Sequence, residues 1–253
     1  MTMKKYLTKY GGIVYPIVAL GAMIALWAIF AEIVGIELII PSVKSTFLRF
    51  FALFSEKSFY RAVGGTALRS LISFVAGAAF ALIFALLSLF KPVRLFLSPI
   101  IKVMRSVPTM SLILLTVIWL RPSTSPILIA FLINFPIMYS GFYSAITGVD
   151  GDLIEMSKVY KVPVKDRIFS LYLPQILPAA FDNMQSSAGL TIKIIISAEV
   201  IAQTRNSMGI MMQTARGYLE TAELLAWTIV AIILGYFVEF IVFALKKLIV
   251  RWK

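Results

Sequence analysis

Four charged side chains stand inside otherwise apolar runs of this chain: Lys102, Arg105, Lys193 and Glu199. A charge at the centre of a membrane-crossing helix is unfavourable by about 2.5–3.5 kcal/mol on insertion scales, so such a group faces water, a partner or a headgroup. Lys102 and Arg105 are three positions apart and share a helix face. Glu199 follows Lys193 by six positions, nearly two turns, so the two do not pair within one helix. Some of the four, Glu199 included, are expected to line a water-filled path across the membrane, where the cations would favour an anionic solute. Near the inner interface, close to Arg94, Lys102 and Arg105 would instead snorkel to headgroups. Pro108, in the same run, removes a helix hydrogen bond, either lining a cavity with the freed carbonyl or serving as a packing kink.

A second group of polar residues lies in the stretch from Gly148 to Gln175. Asp152 precedes Leu153-Ile154 and Glu155 follows three positions later, the spacing of a capping box in which each side chain satisfies a backbone N–H at a helix start. Val162-Pro163 stops that helix early, because a residue before proline is driven out of the helical region. A second short helix is expected to run to Tyr172, with a bend at Leu173-Pro174 through Pro178. The result is a compact basic hairpin tied to its flanking segments, able to transmit force from a partner; a passive connecting loop is the alternative.

The elements that must position these groups follow from composition. Of 253 residues, 60% are hydrophobic and 14% charged, against about 45–50% and 25% in ordinary soluble domains, so the excess apolar surface must face the lipid bilayer. A spanning helix needs about 20 apolar residues. Six runs qualify, at approximately 13–34, 67–90, 96–120, 127–146, 178–202 and 224–245. Gly77, Ala78, Ala79 and Ala81 give the second span a side on which a neighbouring helix can approach closely. Between the first two, Pro41-Ser42 starts an amphipathic helix with Phe47, Leu48, Phe51 and Phe54 on one face, which either lies along the membrane surface or packs on the protein.

With the N-terminus inside, thirteen Lys and Arg residues flank the inner ends of the spans and eight the outer ends, which puts both termini in the cytoplasm. The expected organisation is an N-terminal part with a cytoplasmic tail, the first span and an outer amphipathic helix (1–60), a membrane-spanning core (61–245) and a basic cytoplasmic tail (246–253). The net charge of +12 is scattered in short clusters between apolar runs, which argues against nucleic acid. The chain has no Cys and no His, no Gly-x-x-x-x-Gly-Lys-Ser/Thr loop, and no zinc or nucleophile–base pattern. An enzyme, a metal site, a cofactor in this chain and ATP binding by a Walker loop are therefore not expected. A carrier or channel working without an ATPase stays open on these residues alone, although no inverted repeat is visible.

Leu153-Ile154-Glu155-Met156-Ser157-Lys158-Val159-Tyr160-Lys161, followed by Leu173-Pro174 and Ile176-Leu177-Pro178, resembles the EAA loop of binding-protein-dependent ABC importer permeases. Met156 and Ser157 stand where alanines are usual, and Lys161 where that family has glycine. Ile40-Pro41-Ser42, Arg105-Ser106-Val107-Pro108, Ala198-Glu199-Val200-Ile201 and Ser207-Met208-Gly209 extend the resemblance to the nitrate/sulfonate/taurine branch. It implies an all-α, six-span type I importer domain in a bacterial inner membrane. It further implies two permease copies, expected as a homodimer, two cytoplasmic ABC ATPase subunits and an extracytoplasmic substrate-binding protein. Asp152, Glu155, Met156, Ser157, Lys158, Tyr160 and Lys161 would then form the coupling segment seated on the ATPase.

Overall fold

The computed structural model describes residues 3–250, with side chains from Val14 onward. The basic residues Lys4, Lys5 and Lys9 and the tail at 251–253, expected to mark the cytoplasmic side, lie outside the described side chains. The described residues are helical, with no strand among them. Five helices are long and apolar enough to cross a membrane: α1 (Met3–Val34), α3 (Lys57–Leu87), α6 (Ser125–Thr147), α9 (Leu173–Ala202, extended at its start by α8, Val164–Arg167, and a π-turn, Ile168–Tyr172) and α11 (Thr221–Ile249).

The expected third span is broken. α4 (Lys91–Ser106) and α5 (Thr109–Trp119) meet at 95° across Val107-Pro108. Proline excludes the helical region for Val107, which sits at ψ 127°, and the helix restarts when Ser111 N–H donates to the Pro108 carbonyl. At ~1.5 Å per residue the two pieces reach only about 24 and 17 Å, so neither alone crosses a hydrocarbon core of about 30 Å. Lys102 and Arg105 belong to the amphipathic α4 and not to a straight span.

The chain divides into two compact units: Met1–Phe59 with Met212–Ile229, and Tyr60–Met211 with Val230–Lys253. In the first, α2 (Val43–Leu53) starts at Ser42, whose hydroxyl accepts from Ser45 N–H. Thr46, Phe50 and Leu53 are buried, while Phe47, Leu48, Phe51 and Phe54 stay exposed. The helix therefore packs on one face and leaves much of the expected apolar face exposed, with Phe50 holding Phe47, Phe51 and Phe54 edge to face. Arg49 pairs with Glu223 at 2.7 Å and Glu56 at 3.2 Å. Burial pulls its pKa down, and the hydrogen bond and charge of Glu223 more than offset this, so it stands above the ordinary arginine value.

In the second unit, α3 and the turn after it face a ladder of small residues inward: Ser70, Ser73, Gly77, Ala81, Ala85 and Ser88 are all buried. Spaced three or four apart, they let larger neighbours approach; the Met138 sulfur would lie 3.7 Å from a Cβ placed on Gly77. Phe74, Met138, Phe142, Phe181 and Val242 join one apolar core, and Ile113, Ile129, Ile194, Ile195 and Ala198 a second. α6 and α9 share the most extensive pairing. Their interface carries a buried Asn134 whose amide donates to Thr191 Oγ1 at 2.8 Å.

Candidate functional site: an exposed capped helix, a polar stripe and a buried carboxylate

α7 (Gly151–Val159) is capped by Asp150, not Asp152: the Asp150 carboxylate accepts Asp152 N–H at 2.9 Å. The start therefore lies two residues earlier than the Asp152/Glu155 spacing suggests, because the carboxylate next to Gly151 takes the free N–H first. Asp152 then carries the acidic charge favoured in a first turn. Asp150 N–H also donates to Gln175 Oε1 at 3.0 Å, which ties α7 to α9.

The other end closes as a Schellman turn, with Val162 N–H on the Ser157 carbonyl and Lys161 N–H on the Lys158 carbonyl, both at 3.0 Å. Lys161 occupies the left-handed position at φ 50°. The lysine that departs from the family's glycine thus keeps the glycine's backbone shape under strain. Lys161→Gly is expected to stabilise this turn by about 1 kcal/mol. Slower amide exchange at Val162 would register the gain, and unchanged or faster exchange would contradict it.

The expected bend at Leu173–Pro178 is absent. Past Pro163 the chain runs through α8 and the π-turn straight into α9, and the wider π-turn accommodates Pro174, which lacks an N–H to donate. On α7 and the turn that ends it, Asp152, Glu155, Met156, Lys158, Tyr160 and Lys161 are exposed, while Ser157 is buried and donates to the Ile154 carbonyl at 2.7 Å. Ser157 therefore marks the inner face of the helix. Val159, absent from the expected set, is 77% exposed beside Tyr160 at 74%. A short polar helix that leaves adjacent large apolar side chains uncovered marks a contact surface.

On α9, Asp182, Ser186, Lys193 and Ser197 are exposed and fall within about 60° of one another at 100° per residue. They form a polar stripe along an otherwise apolar span, with Asp182 paired to Lys246 of α11. Lys193 is therefore placed at an open face. Lys102 and Arg105 are exposed on α4, and Arg105 donates to the Pro136 carbonyl at 3.2 Å. Pro108 caps α5 at the break.

Glu199 points elsewhere. Its side chain is fully buried; it accepts from Thr66 Oγ1 at 2.8 Å, Arg69 Nε at 2.8 Å and Gly209 N–H at 3.3 Å. Arg69 Nη2 continues to the Asn206 carbonyl at 2.9 Å, and Met208 N–H donates to Thr66 Oγ1 at 2.9 Å. This network clamps the start of α3 to the turn between α9 and α10 (Met208–Gly217). Gly209 is required there, since a Cβ would strike the Glu199 Cβ and the α9 backbone. Thr66 and Arg69 carry no local sequence signal for this, because their partner lies more than 120 residues away.

Glu239 was also not legible as a site residue from its spacing. It is the single Asp, Glu, Lys or Arg between Glu223 and Lys246 in α11, and that isolation was its one signal.

The sequence model of the "Binding-protein-dependent transport system inner membrane component" family matches residues 76–253. The chain belongs to that family. It is a multi-pass inner-membrane transport permease, the membrane-spanning subunit of an ATP-binding cassette importer. Among its relatives is SsuC of Bacillus subtilis, named as an aliphatic sulfonates transport permease, 25% identical over 97% of this chain and 89% of the relative. SsuC of Escherichia coli is 26% identical over 99% and 94%. TauC of Escherichia coli, a taurine transport system permease, is 29% identical over 63% of this chain and 58% of its own length. The permease fold also matches solved structures. An ABC transporter that imports the acidic polysaccharide alginate superposes with TM-score 0.62 at 14% identity, covering 98% of this chain and 99% of that one. An amino acid ABC transporter gives 0.58 at 15% identity, covering 74% and 89%.

Proposed function

We propose that this permease works as two copies with a separate cytoplasmic ATPase seated on α7, importing a small organic anion of the sulfonate class from an extracytoplasmic binding protein. The observation that carries the reading is α7 itself: capped at both ends, bonded to α9 through Gln175, and open at Val159 and Tyr160. Force applied there reaches α9 without passing through a flexible joint. The basic flanks of Lys158, Lys161, Lys165 and Arg167 support a cytoplasmic position for α7 and for both termini. The α9–α10 turn then lies on the outer side, and residues 61–245 form the core that moves.

The stripe on α9 supplies the path. Lys193 offers a lone ammonium at membrane depth, Ser197 and Ser186 offer hydroxyls one and two turns away, and two relatives are named as aliphatic sulfonates transport permeases. Lys102 and Arg105 add positive charge at the α4 face. Glu199 holds the outer turn in place and does not meet the solute.

Lys193→Gln is expected to lower ATP-driven uptake of ethanesulfonate at least about tenfold, the size of a lost charge-assisted hydrogen bond. Uptake into proteoliposomes holding permease, ATPase and binding protein measures it. Unaltered uptake would remove Lys193 from the path.

A further inference from the structure

We propose that Glu239 is the built-in counter-ion of Lys193, standing in for the solute anion when the path is empty. This rests on the reading of the α9 stripe as the path, and adds a competitor to it.

Glu239 sits in the middle of α11, with apolar residues for three positions on either side apart from Tyr236. Its carboxylate lies directly over Gly189 of α9: a Cβ on Gly189 would overlap Glu239 Oε1. One turn further along α9 from Gly189 is Lys193, within about 40° of the same face. The register of the two helices is fixed independently by the Asp182–Lys246 pair, seven residues from Gly189 on α9 and seven from Glu239 on α11. The helices therefore run antiparallel here, and the next turn of α11 toward Lys193 carries Gly235, above which the space is open.

Neither the Glu239 carboxylate nor the Lys193 ammonium has a hydrogen-bond or ion-pair partner among the described residues. Two opposite charges at membrane depth, about one helical turn apart (~5.4 Å) on facing helices, with a glycine hollow under one and open space beside the other, attract each other strongly where the dielectric is low. Lysine's long flexible stem spans that distance. An entering sulfonate offers Lys193 a second anion, and Glu239 withdraws over Gly189; when the solute leaves, the carboxylate returns. Such a carboxylate keeps the ammonium from trapping the anion and promotes release.

The test uses the solubilised permease–ATPase complex without binding protein, titrated with radiolabelled ethanesulfonate, alongside uptake turnover in the full proteoliposome system. Glu239→Gln is expected to lower the half-saturating concentration by about threefold to tenfold while slowing uptake, since the anion is no longer displaced. Gly189→Ala, which pushes the carboxylate away without removing it, is expected to shift binding in the same direction. In a Lys193→Gln background the Glu239→Gln gain should disappear. An equal gain in both backgrounds, no gain in the wild-type background, or no saturable binding in the Glu239→Gln complex overturns the counter-ion role. If Lys193→Gln itself leaves both binding and uptake unchanged, the path assignment fails instead.

Discussion

Replacing Arg69 or Glu199 singly by alanine is expected to destabilise the solubilised permease by about 3–5 kcal/mol, the largest single-residue effect in the chain. The Glu199 side chain is fully buried and that of Arg69 is 12% exposed, so removing either leaves the other charge largely cut off from water. The loss does not stop at the pair. Thr66 Oγ1, Gly209 N–H and the Asn206 carbonyl are all held by these two side chains or their immediate partners. The Arg69→Met/Glu199→Met double variant removes both charges together and is expected to recover most of the stability, because an apolar pair of similar volume carries no desolvation penalty. The Arg49–Glu223 pair makes the contrast: Arg49 is 36% exposed, and Arg49→Met should cost no more than about 1 kcal/mol. Thermal unfolding of the solubilised proteins followed by tryptophan fluorescence decides the matter. Single alanine variants that melt with the wild type would show that the buried pair does not hold the turn.

The second large effect is expected at α7. Glu155→Pro introduces a residue without an N–H into the middle of a nine-residue helix, at a local cost of about 3 kcal/mol or more, which a helix so short cannot absorb. ATP-driven uptake should fall more than about tenfold, and binding of the ATPase with it, while membrane insertion stays normal because α7 lies outside every span. Tyr160→Ala and Val159→Asp probe the same surface without breaking the helix. If the apolar pair seats the partner, both weaken co-purification of the ATPase, and Val159→Asp does so more, since it buries an unpaired carboxylate. Full co-purification with intact uptake in the Glu155→Pro variant would show that force enters elsewhere.

How far these sites could be read from sequence depended on the range of the forces involved. Hydropathy is a sum over neighbours, so five spanning helices were visible as apolar runs, and the small residues of α3 announced a packed side. Pro108 was legible as an interruption, but the size of the turn was not. A proline fixes the local dihedrals, whereas the 95° angle depends on what α4 and α5 pack against. The start of α3 moved ten residues earlier than the hydropathy run, to Lys57, since a helix can continue beyond its apolar segment.

The coupling segment was legible as a helix with a start and a stop. Its cap was misplaced by two residues because Asp150 and Asp152 both satisfy the same composition rule, and only geometry separates them. Glu199 stood out as a charge in an apolar run and was expected beside the path, yet its burial and its partners Thr66 and Arg69 were not legible, since pairing across 130 residues leaves no local trace. Lys193 was recognised from its solitude in an apolar run. Glu239 had the same signature, but its significance depends on Gly189 lying opposite, which spacing along one helix does not reveal.

Solute flux through the purified permease in proteoliposomes, measured with and without its ATPase and binding protein, bears most directly on this assignment. Radiolabelled ethanesulfonate should accumulate only when the ATPase, the binding protein and ATP are all present, and should stop when α7 is broken by Glu155→Pro. Saturable flux through the permease alone, unaffected by that substitution, would mean that no ATPase drives this molecule.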